Sequence, residues 1–569
     1  MAVINFSKAN CMNCYKCVRE CPVKAIKVKD EQAQIVEDLC IACGSCLRIC
    51  PQNAKEIQSE LVTVKTFINK GYKVVASVAP AFIGAFQFEY AGQFVSGLKK
   101  LGFSHIEQTA VGAALVSKEY SEFYNNPNDN NYITTSCPGV NYLIQKYYPN
   151  LISSMIPVIS PMICHGKTIK ERYGEEAKVV FIGPCLAKKL EAIEDNSIDA
   201  VLTFDELYKW FQKERIVLNE LSTESFDSED LAASIYPITG GISATLDKKI
   251  DKKIFKVDGI DNCMQVLASM EKGEVQSTWI EMSLCSNSCI NGPAMTEEIG
   301  GLYLRKHKVE KYARNCEKNN KNWCKEDISL SKAFLKKNFI NLSSSSAIPN
   351  EEEIRGLLKD IGKTTEKDEL NCGACGYNTC REKAIAVYNG MAEKNMCLPF
   401  MRQRAEMLTN VIFDVTPNAI FILNNDLDII NFNPSAETLF NISRDFALKK
   451  PVTIFMEDDD FVDVRDTKRC ILSKKVKLKH YNLTVLETAV YIEEHKAILV
   501  IMIDITNNEK KEKKLEELKF NTLDMAQEVI DRQMRVAQEI ASLLGETTAE
   551  TKVILTKLKK IVQSKEDDI

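Results

Sequence analysis

The sequence contains no uninterrupted apolar run long enough to cross a membrane. The best stretch, AILVIMIDI at 497–505, is interrupted by Asp504 and falls well short of the ~18 residues that a span needs. The N-terminal residues, MAVINFSKANCMN, reach a cysteine before an apolar segment of signal-peptide length can form. We therefore expect a protein that is not exported, does not enter a membrane and resides in the cytoplasm.

The sequence also lacks an excess of charge of one sign. Its 73 Lys and Arg residues against 78 Asp and Glu residues give a formal net charge of −5, so no direct interaction with nucleic acid is expected. A chain of 569 residues exceeds what one hydrophobic core supports. At ~150 residues per domain it predicts about four small units.

Disulfide bonds are not expected, although the chain has 21 cysteines. Glutathione and thioredoxin keep cytoplasmic thiols reduced, which leaves metal ligation as the alternative role. Most of these cysteines fall into groups with short, regular spacing, as the ligands of iron–sulfur clusters do. The chemistry of the protein is therefore expected to lie in these groups.

Two copies of the pattern C-x2-C-x2-C-x3-C-P begin the chain, CMNCYKCVRECP at 11–22 and CIACGSCLRICP at 40–51. Three thiolates of each copy bind one cubane, and the fourth, before proline, completes the other cubane. The expected ligand sets are Cys11, Cys14, Cys17 and Cys50 for one cluster, and Cys40, Cys43, Cys46 and Cys21 for its twin. Zinc knuckles, the alternative, have ligand pairs with longer separations. Residues 1–62 resemble bacterial two-cluster ferredoxins, which implies that they transfer single electrons.

Residues 65–340 alternate apolar runs with helical stretches, which predicts an α/β domain. The runs KVVASVAPAF, AKVVFIGPC and SIDAVLTF are predicted strands. Four motifs lie within the domain: TTSCPGV at 134–140, FIGPCLAKKLEA at 181–192, ITGGISATL at 238–246 and WIEMSLCSNSCINGPA at 279–294. They supply Cys137, Cys185, Cys285 and Cys289. Because α/β folds present ligands at strand ends, these four thiolates could build one more cubane.

The order, spacing and flanking residues of these motifs resemble the catalytic domain of iron-only (FeFe) hydrogenases. The resemblance implies an H-cluster, in which a cubane is joined through one cysteine to a two-iron subsite with carbon monoxide and cyanide ligands. It gives Cys289 the bridging role and makes Cys137, Cys185 and Cys285 the other ligands.

The same resemblance identifies residues around the two-iron subsite. Lys188 matches a family lysine that pairs with a cyanide ligand, a suitable task for a compact ammonium group. The segment SVAPAF at 77–82, with Ala79 and Pro80, resembles the family's pocket-lining loop.

Departures from the family pattern predict slow proton delivery. High-turnover members have two adjacent cysteines where this chain has Ser136 and Cys137, and the missing thiol is the family's proton relay. A thiol with a pKa of about 8.5 exchanges protons at neutral pH far more readily than a serine hydroxyl. Gly183 replaces a usual methionine and INGPA replaces a glycine run, which changes the contacts that tune the cofactor. Low turnover is therefore expected.

Residues 350–403 contain a further group of cysteines, preceded by a helix, NEEEIRGLLKDIGK, that Gly362 is expected to end. The spacing C-x2-C-x4-C-x16-C predicts another cubane, with zinc as the alternative metal. Its expected ligands are Cys372, Cys375, Cys380 and Cys397. Gly373 and Gly376 let the backbone turn tightly around the inorganic sulfurs. The segment resembles a small cluster domain of several anaerobic electron-transfer proteins.

Residues 404–508 change in character. PNAIFILNNDLDIINFNPSAETLFN predicts a strand, a turn rich in Asn and Asp, a second strand and a helix that begins at Pro434. With IDIT before a charged helix, this region resembles PAS sensor domains, and Asn433 matches their helix-capping asparagine. Neither His480 nor His495 has the context of a haem ligand, so a PAS domain without a cofactor is one expectation.

Residues 509–569 are predicted to be helical, and the second helix carries Ile554, Leu558 and Ile561 on one face. The apolar spacing is uneven for strict heptads, but a helical stalk that forms a homodimer is the preferred interpretation. No kinase ATP motif or helix-turn-helix pattern follows, so any output is expected to pass to another protein. The architecture resembles sensors of anaerobic bacteria, which implies a phosphatase or kinase, or a transcriptional circuit, as that partner. The remaining cysteines are expected to be ordinary thiols: Cys164 (beside His165), Cys263, Cys316, Cys324 and Cys470.

The preferred hypothesis is a sensory hydrogenase, a multidomain protein of α/β and α+β class. H2 would bind or be slowly oxidised at the H-cluster to give protons and electrons. The electrons would pass through the 4Fe-4S clusters and to a carrier protein, and the PAS domain and C-terminal helices would report the redox state. The alternative is an electron-transfer or redox-sensing scaffold with cubanes alone, as in eukaryotic relatives that kept the fold and abandoned hydrogen chemistry. The retained Cys289 and Lys188 favour the first hypothesis, since a bare cubane does not require Lys188.

Overall fold

The structure is a computed structural model that describes residues 4–6, 10–230, 232–296, 300–319, 332–344, 347–544 and 548–563. The chain divides into two compact units, residues 1–401 and residues 402–569. Within the described ranges, no helix is both long and apolar enough to cross a membrane. Cys324, the side chain of Cys316 and residues 545–547 lie outside the described residues.

The start of the first unit consists of short antiparallel strand pairs and single helical turns. Its elements are β1 (Ile4–Phe6), α1 (Lys16–Glu20), β2 (Ile26–Lys29), β3 (Gln32–Ile35), α2 (Ser45–Arg48) and β4 (Lys55–Ile57). β1 pairs with β4, and β2 pairs with β3. Cys17 lies in α1 and Cys46 in α2, so the two cysteine motifs occupy equivalent places.

The α/β part of the first unit is built on two parallel sheets. Its strands are β5 (Val74–Val78), β6 (His105–Gln108), β7 (Tyr132–Ile133), β8 (Lys178–Gly183), β9 (Ala200–Thr203), β10 (Lys253–Asp258) and β11 (Thr278–Ser283). One sheet has the order β6-β5-β8-β9 and the other β10-β11-β7. All neighbouring strands in both sheets are parallel.

Helices cover both sheets. They are α3 (Leu61–Asn69), α4 (Ala91–Lys100), α5 (Ala110–Tyr124), α6 (Pro138–Tyr147), α7 (Pro161–Tyr173), α8 (Ala187–Glu194), α9 (Phe204–Lys213), α10 (Gly241–Ala244), α11 (Ile260–Glu271), α12 (Leu302–Asn319) and α13 (Lys332–Leu335). Because helices lie on both faces, a central strand is buried along its whole length, as every residue of β5 is. The three apolar runs predicted as strands are β5, β8 and β9, which confirms those predictions.

A small helical part closes the cysteine-rich region. Its helices are α14 (Glu351–Asp360), α15 (Cys380–Tyr388) and α16 (Leu398–Val415). Asn350 and Glu353 form a capping box at the start of α14, each side chain accepting a hydrogen bond from the other's backbone N–H at 2.9 and 2.8 Å. Gly362 follows the helix with a φ of 72°, as the sequence predicts.

The second unit is a PAS-type α+β fold. Its elements are β12 (Ala419–Leu423), β13 (Ile429–Phe432), α17 (Pro434–Phe440), α18 (Arg444–Ala447), α19 (Asp459–Thr467), β14 (Ile471–Leu478), β15 (Leu483–Ile492) and β16 (Ala497–Asp504). The antiparallel sheet has the order β13-β12-β16-β15-β14. Asn433 caps α17 as predicted: its Oδ1 accepts from the backbone N–H of Ala436 at 2.9 Å. Its Nδ2 donates to the carbonyls of Phe413 and Asn418 at 3.0 and 2.9 Å, which fixes the entry to the sheet.

Two helices complete the described chain, α20 (Thr506–Leu544) and α21 (Thr548–Gln563). α21 folds back along α20, where Lys559 Nζ donates to Gln527 Oε1 at 2.5 Å. Residues 545–547, between the two helices, lie outside the described residues.

Glu487 is an ionisable residue on the buried face of β15 and is 1% exposed. Among the described residues no donor lies within hydrogen-bond distance of either carboxylate oxygen. Burial and the nearby charge of Asp460 raise the pKa of Glu487 from 4.5 to about 7. The folded state therefore favours the neutral acid, and its stability falls as pH rises from 4.5 towards 7.

We expect Glu487→Gln to stabilise the second unit by about 2–3 kcal/mol above pH 7, because the amide stays neutral. The difference should vanish below the unfolded pKa of 4.5. The free energy of unfolding of the second unit is measured by hydrogen exchange of β15 and β16 peptides in the full chain, at a series of pH values. Glu494 is exposed, so Glu494→Gln is the matched control and should leave the stability of the second unit unchanged both above pH 7 and below pH 4.5. A gain that is independent of pH would contradict the assignment.

Candidate metal centre

A cavity of about 120 Å³ lies where strands of both parallel sheets end. Cys137, Cys185 and Cys289 line it together with the other predicted site residues, Ala79, Pro80, Ser136 and Lys188. Cys285 is close to the other three thiols, since each of them affects its protonation. The structure thus brings together all four cysteines that the sequence places in distant segments.

Local backbone geometry places each thiol at the carboxyl end of a strand. Cys137 follows β7 and is the N-cap residue of α6. Cys185 follows β8 and precedes α8. Between Cys285 and Cys289, Asn287 and Ser288 have φ values of 61° and 59°, a left-handed conformation that few residues other than glycine adopt. This turn directs the last two cysteines towards one place.

Burial makes these thiols difficult to ionise without a cation. It raises the pKa of Cys185 to about 11 and of Cys289 to about 12, and the neighbouring thiols add to both shifts. The pKa of Cys285 is also raised, by burial and by the three other cysteines. Cys289 has accessible surface, but that surface faces the cavity it lines. The group therefore suits a positively charged metal cluster, which stabilises several thiolates at once.

Lys188 occupies the cavity wall as one member of a buried ion pair. Its Nζ donates to Glu191 Oε2 at 2.7 Å and more weakly to the carbonyl of Ser136 at 3.4 Å. Glu191 Oε2 also accepts from Ser160 Oγ at 2.9 Å. An ammonium group has three donors, so Lys188 retains one for an acceptor in the cavity.

The remaining wall is mainly apolar, with Met162, Phe181 and Ile242 among its residues. This environment fits a compact group that carries small, weakly hydrated ligands and is bound by thiolates on one side. Among the described residues, no three His, Cys, Asp or Glu side chains are arranged to hold a single metal ion. A cubane places a different iron at each thiolate, so it requires no such arrangement. The donor set fits an iron–sulfur cluster with an adjoining subsite.

Of two positions where the chain departs from the pattern it resembles, Ser136 lines this cavity, and Gly183 lies between the lining residues Phe181 and Pro184 in the sequence. Ser136 Oγ and Tyr120 Oη are hydrogen-bonded at 3.1 Å, so the hydroxyl that replaces the relay thiol is held by a tyrosine. At Gly183 a Cβ atom would lie 2.7 Å from the ring of Phe181. Phe181 therefore fills the space that a methionine at 183 would need.

Six of the eight ferredoxin-type cysteines lie in loops, and Cys17 and Cys46 lie in the short helices α1 and α2. Backbone N–H groups of Ala25, Ala42 and Ala54 point at the sulfurs of Cys21, Cys40 and Cys50 at 3.2, 3.4 and 3.4 Å. Such hydrogen bonds stabilise thiolate and tune cluster potential. Burial raises the pKa of Cys21 to about 12, again in keeping with a thiol that ionises on binding metal.

The second ferredoxin motif lies against the loop that follows Cys289. A Cβ atom at Gly44 would lie 2.4 Å from Pro293, so only glycine allows this approach. Arg48 donates to the carbonyl of Asn291 at 2.9 Å. Cys21, Cys43 and Cys285 line one groove. A cluster on the second motif would thus neighbour a cluster on the four cavity cysteines.

The cysteines of the small helical part lie beside the same ferredoxin part. Gly373 and Gly376 adopt φ values of 68° and 92°, and a Cβ at Gly376 would lie 2.9 Å from Val18. Arg19 donates to the carbonyl of Ala374 at 3.1 Å. The pKa of Tyr377 is raised by burial and by Cys375 and Cys21, which places its ring near both thiols. The cavity cysteines, the ferredoxin-type cysteines and the cysteines of the small helical part therefore lie next to one another in that order.

Sequence reasoning missed several polar residues of the site. Glu281 is buried, and its carboxylate accepts from the backbone N–H groups of Gly240 and Ser243, both at 2.8 Å. It thereby anchors the ITGGISATL motif, and an acidic residue inside the apolar run WIEM is the signal that could have identified it. Tyr120 and Glu191 carried no such signal. Cys263 lies near Cys137, yet its Sγ donates to the carbonyl of Ser283 at 3.3 Å.

Four family models match the chain. The model for the iron-only hydrogenase large subunit, C-terminal domain, matches residues 72–293. A 4Fe-4S dicluster domain matches residues 3–51, an Fe-S cluster family matches 368–399, and the PAS fold matches 406–505. The matches agree with iron–sulfur cofactors and with a PAS domain.

Curated relatives fall into two groups. The chain is 30% identical to the periplasmic Fe hydrogenase large subunit of Nitratidesulfovibrio vulgaris, over 48% of this chain and 76% of that protein. It is 26% identical to iron hydrogenase 1 of Clostridium pasteurianum over 38% of this chain, and spans only 48% of that relative's length. A cytosolic Fe-S cluster assembly factor of Danio rerio is 22% identical over 38% of this chain and 71% of that protein.

Replacing Cys185 with alanine should remove one cluster from the anaerobically reconstituted chain. We expect a loss of about four iron atoms per chain, because a cubane with three protein ligands is weakly held. The matched control is Cys164→Ala, since Cys164 is also withdrawn from solvent but lies apart from the cysteine groups. Iron and sulfide analysis of both variants provides the measurement. Equal iron in Cys185→Ala and the natural chain would contradict the ligand role.

Proposed function

The chain belongs to the iron-only hydrogenase large-subunit family, and from that premise we propose that it is a hydrogen and redox sensor. In this proposal an H-cluster binds H2 or slowly oxidises it, and further 4Fe-4S clusters carry the electrons. The PAS domain and C-terminal helices then report the redox state to a partner protein. The observation that carries the proposal is the meeting of Cys137, Cys185 and Cys289 with Lys188 at one largely apolar cavity.

The four cysteines would hold the cluster, with Cys289, which faces the cavity, as the bridge to the two-iron subsite. When bound, that subsite supplies the iron chemistry that splits H2 into protons and electrons. Lys188 would fix the orientation of an anionic ligand, since its ammonium group is held in place by Glu191. Ala79 and Pro80 contribute to a wall that limits water near the reacting centre.

Slow turnover follows from the side chains near the cavity. A serine hydroxyl at 136, already hydrogen-bonded to Tyr120, is a much weaker acid than a thiol and supplies protons less readily. A slow reaction suits a sensor, because the occupancy and redox state of the site can then follow the H2 concentration. The signal itself requires a free-energy difference between conformations that depends on redox state.

Electrons would leave through Cys285 towards the second ferredoxin motif, and from there to the small helical part. The groove shared by Cys21, Cys43 and Cys285 supports this order. In the chain, α16 directly follows Cys397 and leads to the PAS-type sheet. We propose an electron-carrier protein and a phosphatase or kinase as the protein partners.

A second candidate function is an electron-transfer or redox-sensing scaffold with cubanes alone. The similarity of the chain to a cytosolic Fe-S cluster assembly factor supports this second candidate. The two candidates differ at the two-iron subsite, which infrared spectroscopy detects directly, because carbon monoxide and cyanide stretches are absent from a cubane protein.

Infrared spectra of the full chain matured with the hydrogenase assembly proteins should show these stretches. Cys289→Ala should abolish them, because it removes the bridging sulfur, whereas Cys164→Ala should retain them. A natural chain that contains its full iron complement but shows no such bands would exclude the sensory hydrogenase and support the cubane scaffold.

We also propose that α20 forms a homodimer. α21 covers one face of α20, where Leu523, Ile530 and Met534 are half-buried. A second apolar stripe remains exposed, with exposures of 63% at Leu518, 64% at Met525, 58% at Val529, 50% at Val536 and 53% at Ile540. These positions follow spacings of seven and four, so the stripe matches the same stripe of a second copy.

Val529→Glu should therefore convert the dimer to a monomer, since it places a charge in the centre of the apolar seam. The neighbouring Glu528→Gln, outside the stripe, is the control and should remain dimeric. Sedimentation equilibrium of the full chain gives the mass. A natural chain that is monomeric at micromolar concentration would rule out this interface.

A further inference from the structure

A buried chain of hydrogen bonds runs from the cavity to the opposite side of α7. We name it the His165 chain; its members are Thr109, Ser77, His165, Glu107 and Tyr173. Thr109 Oγ1 and Ser77 Oγ are 2.8 Å apart, and Ser77 Oγ is 2.8 Å from His165 Nδ1. His165 Nε2 lies 3.1 Å from Glu107 Oε2, and Tyr173 donates to Glu107 Oε1 at 2.8 Å.

The two ends of the His165 chain differ in environment. Thr109 lines the cavity that the four cysteines share. Ser77, His165 and Glu107 are each 0% exposed. At the outer end, Tyr173 is half-buried and stacks on His105, whose side chain is 32% exposed. The chain therefore connects the cavity with the protein surface through polar atoms alone.

The charges around His165 fix its role as a donor and acceptor. Burial alone would raise the pKa of Glu107. Hydrogen bonds from His165 and Tyr173, with the charges of His165 and Arg172, outweigh burial and lower that pKa to about 2. The Glu107 carboxylate accepts a hydrogen bond from His165 Nε2–H, and His165 Nδ1 faces the Ser77 hydroxyl at 2.8 Å. The elements packed against His165 present Ser77 from β5 and Glu107 from β6, while Arg172 and Tyr173 come from α7 itself.

We propose that the His165 chain conducts protons between the cavity and solvent and substitutes for the thiol that Ser136 replaces. The inference rests on the proposed oxidation of H2 at the cavity. For each H2 oxidised, the two electrons leave through the cubanes, and both protons must reach solvent.

A proton accepted by Thr109 Oγ1 moves the hydroxyl proton of Thr109 to Ser77 Oγ, and that of Ser77 to His165 Nδ1. His165 then releases Nε2–H to Glu107 Oε2, and the Tyr173 hydroxyl turns away from Glu107 Oε1 to donate to water. Tyr173 Oη then accepts the proton of the Glu107 carboxylic acid as its own O–H proton passes to that water. At each step one O–H or N–H bond breaks as the next forms, so no further reactant is needed.

A purely structural role is the alternative, since the same contacts join β5, β6 and α7. The two roles differ at Thr109. Its hydroxyl gives α5 no capping hydrogen bond, so the fold has little need of it, whereas proton transfer to the cavity requires it. Thr168 offers a matched control. It is also buried, lies on α7, and donates to the carbonyl of Cys164 at 3.0 Å, away from the His165 chain.

The first experiment compares Thr109→Val with Thr168→Val in the full, matured chain. Both should retain the infrared bands of the cofactor, which shows that the site is intact. After exposure to H2, the bands of Thr109→Val should change at least about tenfold more slowly than those of the natural chain, whereas Thr168→Val should be unaffected. Equal rates in the two variants would overturn the proposal.

His165→Gly provides an independent arm. It should show the same slow change, and added imidazole should restore the rate, since a free base can occupy the vacated space. Rescue by imidazole is not expected if His165 only supports the fold, and its absence, with the infrared bands retained, would count against the proposal.

A third measurement needs no two-iron subsite. In the unloaded chain, the ring N–H of His165 should exchange with deuterium from solvent, because the His165 chain links the buried ring to water at Tyr173. Glu107→Gln should slow that exchange, because it removes the carboxylate that accepts the ring proton. If infrared bands are absent from the natural chain, the proposed function fails while this measurement still decides the His165 chain. Complete protection of His165 alongside exchange of His105 would overturn it.

Discussion

The first unit depends on the cost of holding four thiols together in a space closed to bulk water. Buried thiols near one another resist ionisation, and the raised pKa values of Cys185 and Cys289 express that resistance. An iron–sulfur cluster makes ionisation of the thiols favourable, because its irons stabilise several thiolates together. The surrounding sheets must therefore position the sulfurs before any metal contributes. The left-handed turn at Asn287 and Ser288 is one local cost of doing so.

The same reasoning extends to the two neighbouring cysteine groups. The ferredoxin part and the small helical part contact each other through backbone carbonyls, to which Arg19 and Lys24 donate. Short loops around glycine bring the groups close, as at Gly376 against Val18. Electron transfer between clusters depends on their separation, so this close packing would favour the transfer proposed above. The PAS-type sheet forms a separate core, whose centre includes Phe421, Phe432 and Phe440.

Much of this organisation was predictable where the signal is local. The cysteine spacings, the strands β5, β8 and β9, the capping Asn433 and the terminating Gly362 each depend on a few adjacent residues. The polar partners of the cavity were not predictable. His165 was interpreted only as a polar neighbour of Cys164, yet its ring contacts Ser77 and Glu107, which are distant in sequence. Such contacts arise from the packing of β5, β6 and α7 and leave no periodic pattern.

The contact between Gly44 and Pro293 has a consequence for biogenesis. No side chain fits between the second ferredoxin motif and the loop after Cys289, so neither surface can move without disturbing the other. Each also belongs to a loop that a cluster would order. Insertion of inorganic iron and sulfide at one centre would thus order the loop that holds the next cluster. The clusters would then be inserted in a defined sequence rather than at random.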